Sequence, residues 1–232
     1  MSVFSRLSAV SRDRKLRLFQ DVMRPQATCR ILDVGGEANG TLELLDTYPW
    51  PHQVSLVNVQ ADHVAAVRCR YPEVDARTGD ARRLPWPDKA FDIVYSNAVI
   101  EHVGTWADQQ AMAREIMRVG KCWFVTTPNR WYPFEFHMRL PFVPWLPRIF
   151  QPWCGRIVQY GHIKHRYVFG VKAEAVRLLS VGDLHRLFPG SRIIRQRVTF
   201  MPETLIVVGG EPAFAAQHRL IPARGKLAVR GA

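Results

Sequence analysis

The sequence predicts an α/β fold: a seven-stranded, mostly parallel sheet with an antiparallel closing strand and helices on both faces. Three observations predict it. Apolar runs of strand length alternate with helix-length segments from Cys29 to Thr127. The first of these runs ends in a glycine turn, Gly35-Gly36, that opens a helix. Two further strand-like runs near residues 192–208 follow one another with no helix between them, which reads as a closing hairpin.

The elements follow in order. A basic, partly helical arm occupies residues 1–26 and ends at Pro25, with Arg12, Arg14, Lys15 and Arg17 read as its solvated face. Arg30-Ile31-Leu32-Asp33-Val34 is a buried strand, and the helix after its glycine turn runs through Thr41 to Leu45. Val54 to Val59 is the second strand, Ala61 to Tyr71 a helix, and Val74 to Arg77 a short third strand closing at Gly79-Asp80. Phe91 to Ser96 is the fourth strand, Trp106 to Val119 a strong amphipathic helix, and Lys121 to Thr127 the fifth strand. Residues 129–170, dense in Pro, Trp, Phe and basic side chains, break the pattern and read as a lid inserted into the domain 27–211. A helix at Val181 to Leu187 and strands at Arg192 to Val198 and Glu203 to Val208 complete the sheet, and 212–232 read as a basic flexible tail.

The chain has 232 residues, enough for one such domain, and its 47% hydrophobic content allows a sizeable core. Its formal net charge of +12 favours anionic partners and is silent about the fold. No apolar run reaches the roughly 18 residues that a membrane span requires. The four cysteines show no metal-ligand spacing, so no metal is expected. With no secretory h-region, this composition points to the cytoplasm, with peripheral contact at the inner face of an anionic membrane as a further possibility.

Chemistry concentrates at the ends of the strands. A glycine turn between strand and helix lets a ligand approach the backbone, because glycine has no Cβ and tolerates positive φ. Here it is Asp33-Val34-Gly35-Gly36-Glu37-Ala38-Asn39-Gly40, and Asp33 suits a cationic ligand with an amino-acid part better than a pyrophosphate. Asn58 ends the second strand, where an amide can bond a ribose hydroxyl or simply terminate the strand. Asp80 follows the third strand, where a carboxylate can accept from an exocyclic amino group.

The run from Leu84-Pro85-Trp86-Pro87-Asp88 through Phe91-Asp92 to Asn97-Ala98-Val99-Ile100-Glu101-His102-Val103 is the most specific signal. It resembles the class I S-adenosylmethionine (SAM)-dependent methyltransferases, in particular the branch containing the quinone-biosynthesis methylases. The resemblance covers residues 29–127, with a fainter echo in 181–209, and implies a Rossmann-like fold with SAM as cofactor. By that resemblance Asp33, Gly35, Gly36 and Gly40 hold the methionine part, and Asn97 lines it. Asn58, with Val59 beside it, faces the ribose, and Asp80 and Ala81 the adenine. Glu37, after the second glycine, and Asn58, in place of the ribose acid, depart from the family pattern.

His102, after the fourth strand, fits either a general base or a structural helix start. Tyr132, Glu135 and His137 lie in the segment that commonly borders the acceptor pocket in related methyltransferases. Each fits an acid–base role or the satisfaction of irregular backbone. The expected acceptor is small or amphiphilic: quinol-, lipid- or sugar-like. An RNA methyltransferase and a noncatalytic binding protein on the same fold are the alternatives. Ser96-Asn97-Ala98-Val99 lacks the prolines and ring of base-amino methylation, which argues against nucleic acid.

Overall fold

The computed structural model describes residues 3–37, 44–135, 140–142, 145–146, 159–161, 166–168 and 176–210. Gly40, His137, much of the expected lid and the expected tail lie outside these residues. The first half contains α1 (Val3–Met23), β1 (Ile31–Val34), α2 (Leu44–Thr47), β2 (Val54–Asn58), α3 (Ala61–Arg70) and β3 (Asp75–Thr78). Then come β4 (Phe91–Asn97), α4 (Trp106–Val119) and β5 (Gly120–Pro128). Within the insertion, β6 (Phe134–Glu135) pairs with β7 (Leu140–Pro141), and β8 (Gln159–Gly161) with β9 (Arg166–Val168). α5 (Val181–Leu187), β10 (Arg192–Arg197) and β11 (Pro202–Gly210) follow.

The main sheet has seven strands in the order β10-β11-β5-β4-β1-β2-β3. Its neighbours are parallel except for β11, which runs antiparallel to both β5 and β10. The fold class expected from the sequence is therefore the one observed. β1 lies between β2 and β4, so the crossovers leave it in opposite directions and open a crevice at its carboxyl end.

Side chains alternate across the sheet, as a strand's two-residue period requires. Leu32, Val94 and Val125 pack against α4 and α5 through Met112, Ile116, Leu184 and Phe188. Ile31, Tyr95 and Phe124 face the opposite way, onto Leu16 and Phe19 of α1 and Val64 and Val67 of α3. Burying each such side chain stabilises by roughly 1.5–3 kcal/mol. A capping box starts α4, where the Thr105 hydroxyl accepts from Asp108 N–H and the Asp108 carboxylate accepts from Thr105 N–H.

α1 corrects one expectation. Leu16, Phe19 and Met23 make its core face, and Phe19 stands edge-on to Tyr95 and Phe124 at 5.1 and 5.4 Å between ring centroids. Arg14 and Arg17 are exposed, but Lys15 is buried. Helical geometry explains it: Lys15 is four positions before Phe19 and so shares its face.

Candidate active site at the carboxyl ends of β1 and β4

The turn after β1 is built around two glycines with different constraints. Gly35 has φ +82°, a conformation that a side chain resists, and its N–H donates to Val57 O at 2.7 Å, tying the turn to β2. A Cβ on Gly35 would strike the Val99 side chain, and one on Gly36 would strike the Asp33 carboxylate and Leu56. Asp33 itself is buried. Glu37, the departure noted from the sequence, pairs with His63 at 3.2 Å and so ties the far side of the turn to α3.

Asn58 has close partners at the end of β2. Its amide donates to Gly36 O at 3.0 Å and Gly35 O at 3.4 Å, while its oxygen accepts from Gln60 N–H at 2.9 Å. It is buried and clamps the glycine turn. Val59 beside it is 70% exposed, an apolar surface at the strand end suited to a flat ring. Asp80 is bound by Arg82, whose Nε and Nη2 donate to its two oxygens at 2.6–3.0 Å. That contact holds the Asp80 carboxyl below its ordinary pKa. Arg82 also reaches Asp108, whose pKa is lowered to about 2, first by the Thr105 hydroxyl and then by Thr105 N–H and Arg82. Because the folded value is depressed, this contribution to stability is present above pH ~4 and is lost as pH falls through about 2.

At the end of β4 the structure assembles a cluster that sequence reasoning missed. Asn97 Oδ1 accepts from Lys15 Nζ at 2.7 Å and from Thr126 Oγ1 of β5 at 2.8 Å. A buried cation is costly unless hydrogen-bonded, so α1 is fixed here in register with two strands. Ala98 follows with φ +57°, and its N–H donates to Thr126 O at 3.0 Å. A non-glycine residue in that region stores roughly 1–2 kcal/mol of strain. The strain turns the chain sharply so that Val99 packs over Gly35.

The expected acid–base groups are spread over several surroundings. His102 is half-buried in a 3-10 turn, Ile100–His102, and its N–H donates to Val99 O. Its neighbour Glu101 is fully buried and accepts from the Thr127 hydroxyl at 3.0 Å through Oε2. Tyr132 is buried, with its hydroxyl 2.9 Å from Thr199 Oγ1. Glu135 lies in β6, and His137 is outside the described residues. Among the described residues no group of three or more His, Cys, Asp or Glu is arranged to hold a metal.

A family model described as a methyltransferase domain matches residues 32–122. A probable S-adenosylmethionine-dependent methyltransferase of Mycolicibacterium smegmatis is 43% identical over 67 residues, 29% of this chain and 26% of that protein. A probable S-adenosylmethionine-dependent methyltransferase of Mycobacterium tuberculosis is 35% identical over 122 residues, 50% of this chain and 42% of that protein. The chain thus covers less than half the length of these relatives. The PH0226 protein of Pyrococcus horikoshii superposes with a TM-score of 0.56 at 19% identity, over 85% of this chain and 88% of that one. A SAM-dependent methyltransferase of Methanosarcina mazei superposes with a TM-score of 0.55 at 11% identity, over 79% and 92%. The seven-stranded architecture is a Rossmann-like fold shared with these solved structures.

Proposed function

We propose that the chain is a SAM-dependent methyltransferase acting on a small or amphiphilic acceptor. One observation carries the reading: the left-handed Gly35 turn, the buried Asp33 and the Lys15–Asn97 pair stand together at the crevice where β1 parts from β4. The residues fit SAM at both ends. The turn and Asn97 offer polar contacts to an amino-acid part, and exposed Val59 offers a face to the adenine. Bound SAM supplies a methyl group already activated on a sulfonium. This chain's own residues then have to hold an acceptor behind that methyl at a near-attack distance of roughly 3–3.5 Å and exclude water. His102 is the nearest expected base in sequence to Asn97, and Tyr132, Glu135 and His137 would orient the acceptor from the segment after β5.

Incubation with labelled SAM and a metabolite and lipid extract tests the activity, a labelled product being the expected result. Calorimetry tests the cofactor, and no binding at millimolar SAM sinks the reading. Asn58 gives a sharper test. An acid at this position would be expected to improve ribose binding, but Asn58→Asp removes the donor to Gly36 O and sets a carboxylate against two carbonyls. The expected outcome is weaker SAM binding and a loss of roughly 2 kcal/mol of stability in denaturant titration. Tighter SAM binding by this variant would favour the ribose role.

A further inference from the structure

Most of the large hydrophobic side chains left exposed among the described residues gather in one place. Trp131, Phe142, Trp145, Leu146 and Phe200 are exposed, and only Val10 and Val59 lie elsewhere in the sequence. The four aromatic rings are linked, and Leu146 follows Trp145 in the chain. Phe142 and Trp145 rings lie 5.3 Å apart, Trp145 Nε1 donates to Trp131 O at 3.1 Å, and the ring of Tyr132, next to Trp131, is 6.2 Å from that of Phe200. Asn129, which follows β5 and donates to Pro202 O, anchors this segment to the start of β11, beside the carboxyl end of β5.

We infer that this patch docks onto the surface of a bilayer containing anionic phospholipid, and that the acceptor is an amphiphile met at that surface. The second half rests on the methyltransferase reading; the docking does not. Single exposed hydrophobics need no explanation, but a connected aromatic group on a protein of net charge +12 does. Trp145 already spends its N–H on Trp131 O, so its ring enters an apolar layer without stranding a donor. Cations flank the rings. The Arg130 guanidinium lies 5.5 Å from the Trp131 ring centroid, and Arg14, exposed on α1, donates to the backbone of Arg197, three residues before Phe200. Rings at the interface with arginines reaching anionic headgroups is the pattern of peripheral attachment. Among the described residues no helix is long and apolar enough to cross a membrane, so contact would be made from one side. A second copy of the chain would bring the same cations against these, and a nucleic acid offers no apolar layer for Phe142 and Leu146.

Co-sedimentation of the full chain with vesicles of phosphatidylcholine alone, or mixed with phosphatidylglycerol, tests the docking. Binding is expected to the mixed vesicles only, weakened by high salt. The Trp131→Ala/Trp145→Ala variant should lose at least roughly tenfold in partitioning, with unchanged melting temperature and SAM affinity. Failure of the wild type to bind mixed vesicles, or equal binding by the variant, overturns the proposal. So does a variant that changes only the oligomeric mass in light scattering, which would make the patch a contact between copies. Calorimetry with SAM on the same preparations keeps the two readings apart: vesicle binding without SAM binding defeats the methyltransferase, and the reverse defeats the docking.

Discussion

Gly35→Ala should raise the dissociation constant for SAM by at least about tenfold and lower the melting temperature by several degrees. Two costs act together. The φ of +82° puts a Cβ in a region that costs roughly 1–2 kcal/mol, and that Cβ falls onto the Val99 side chain. The turn must then open away from β2, breaking the 2.7 Å bond from Gly35 N–H to Val57 O. The second cost can be removed alone. Trimming Val99 to alanine in the Gly35→Ala background takes away both colliding methyls, so part of the lost affinity should return while the backbone cost stays. Calorimetry on the four proteins of this cycle measures the coupling. A double variant no better than Gly35→Ala would show that the Val99 contact has no part in shaping the turn.

The second large effect is expected at Asn97. Asn97→Ala deletes the oxygen that accepts from both Lys15 and Thr126. One of those donors is a buried ammonium, and a hydrogen bond to a charged group is worth up to about 3 kcal/mol. For a chain of this length that corresponds to a fall of about 10 °C in melting temperature. Lys15→Met in the same background removes the cation and should recover a good part of the loss. Strictly additive losses would mean that the pair is not coupled. SAM affinity gives a separate readout, because Lys15 and Asn97 reach the crevice from different elements and a purely structural role leaves the affinity of the double variant near that of the wild type.

The sheet was legible in the sequence because its central strands are largely buried on both faces and read as predominantly apolar runs. Ile31 to Val34 and Phe91 to Ser96 are examples, and their ends match the observed strands within a residue. The glycine turn was legible for a similar reason, since local backbone geometry demands a residue type. What escaped the sequence were contacts between distant elements. Lys15 sits 82 residues from Asn97, and among four basic side chains in a six-residue stretch nothing local singles it out. The apolar spacing Leu16, Phe19 and Met23 was the available signal, since it places Lys15 at the buried side. Asn58 was placed correctly at the end of β2, but its clamp on the glycine turn was not foreseen. Its partners, Gly35 O and Gly36 O, are backbone atoms that no side-chain pattern encodes.

The position of β11 has a consequence for how the chain assembles. It enters the sheet between β5 and β10, not outside them, and pairs with β5 from Thr204 to Gly210. During synthesis on the ribosome, β5 therefore waits with one side of its backbone unpaired until about eighty more residues have emerged. For that interval Phe124 lacks its register partner Val208 and the strand is a template for mispairing. Sheet closure is thus a late, long-range event, and contacts so distant in sequence form slowly. The burden of keeping the nascent chain soluble falls on β1 to β4 and the helices already packed around them.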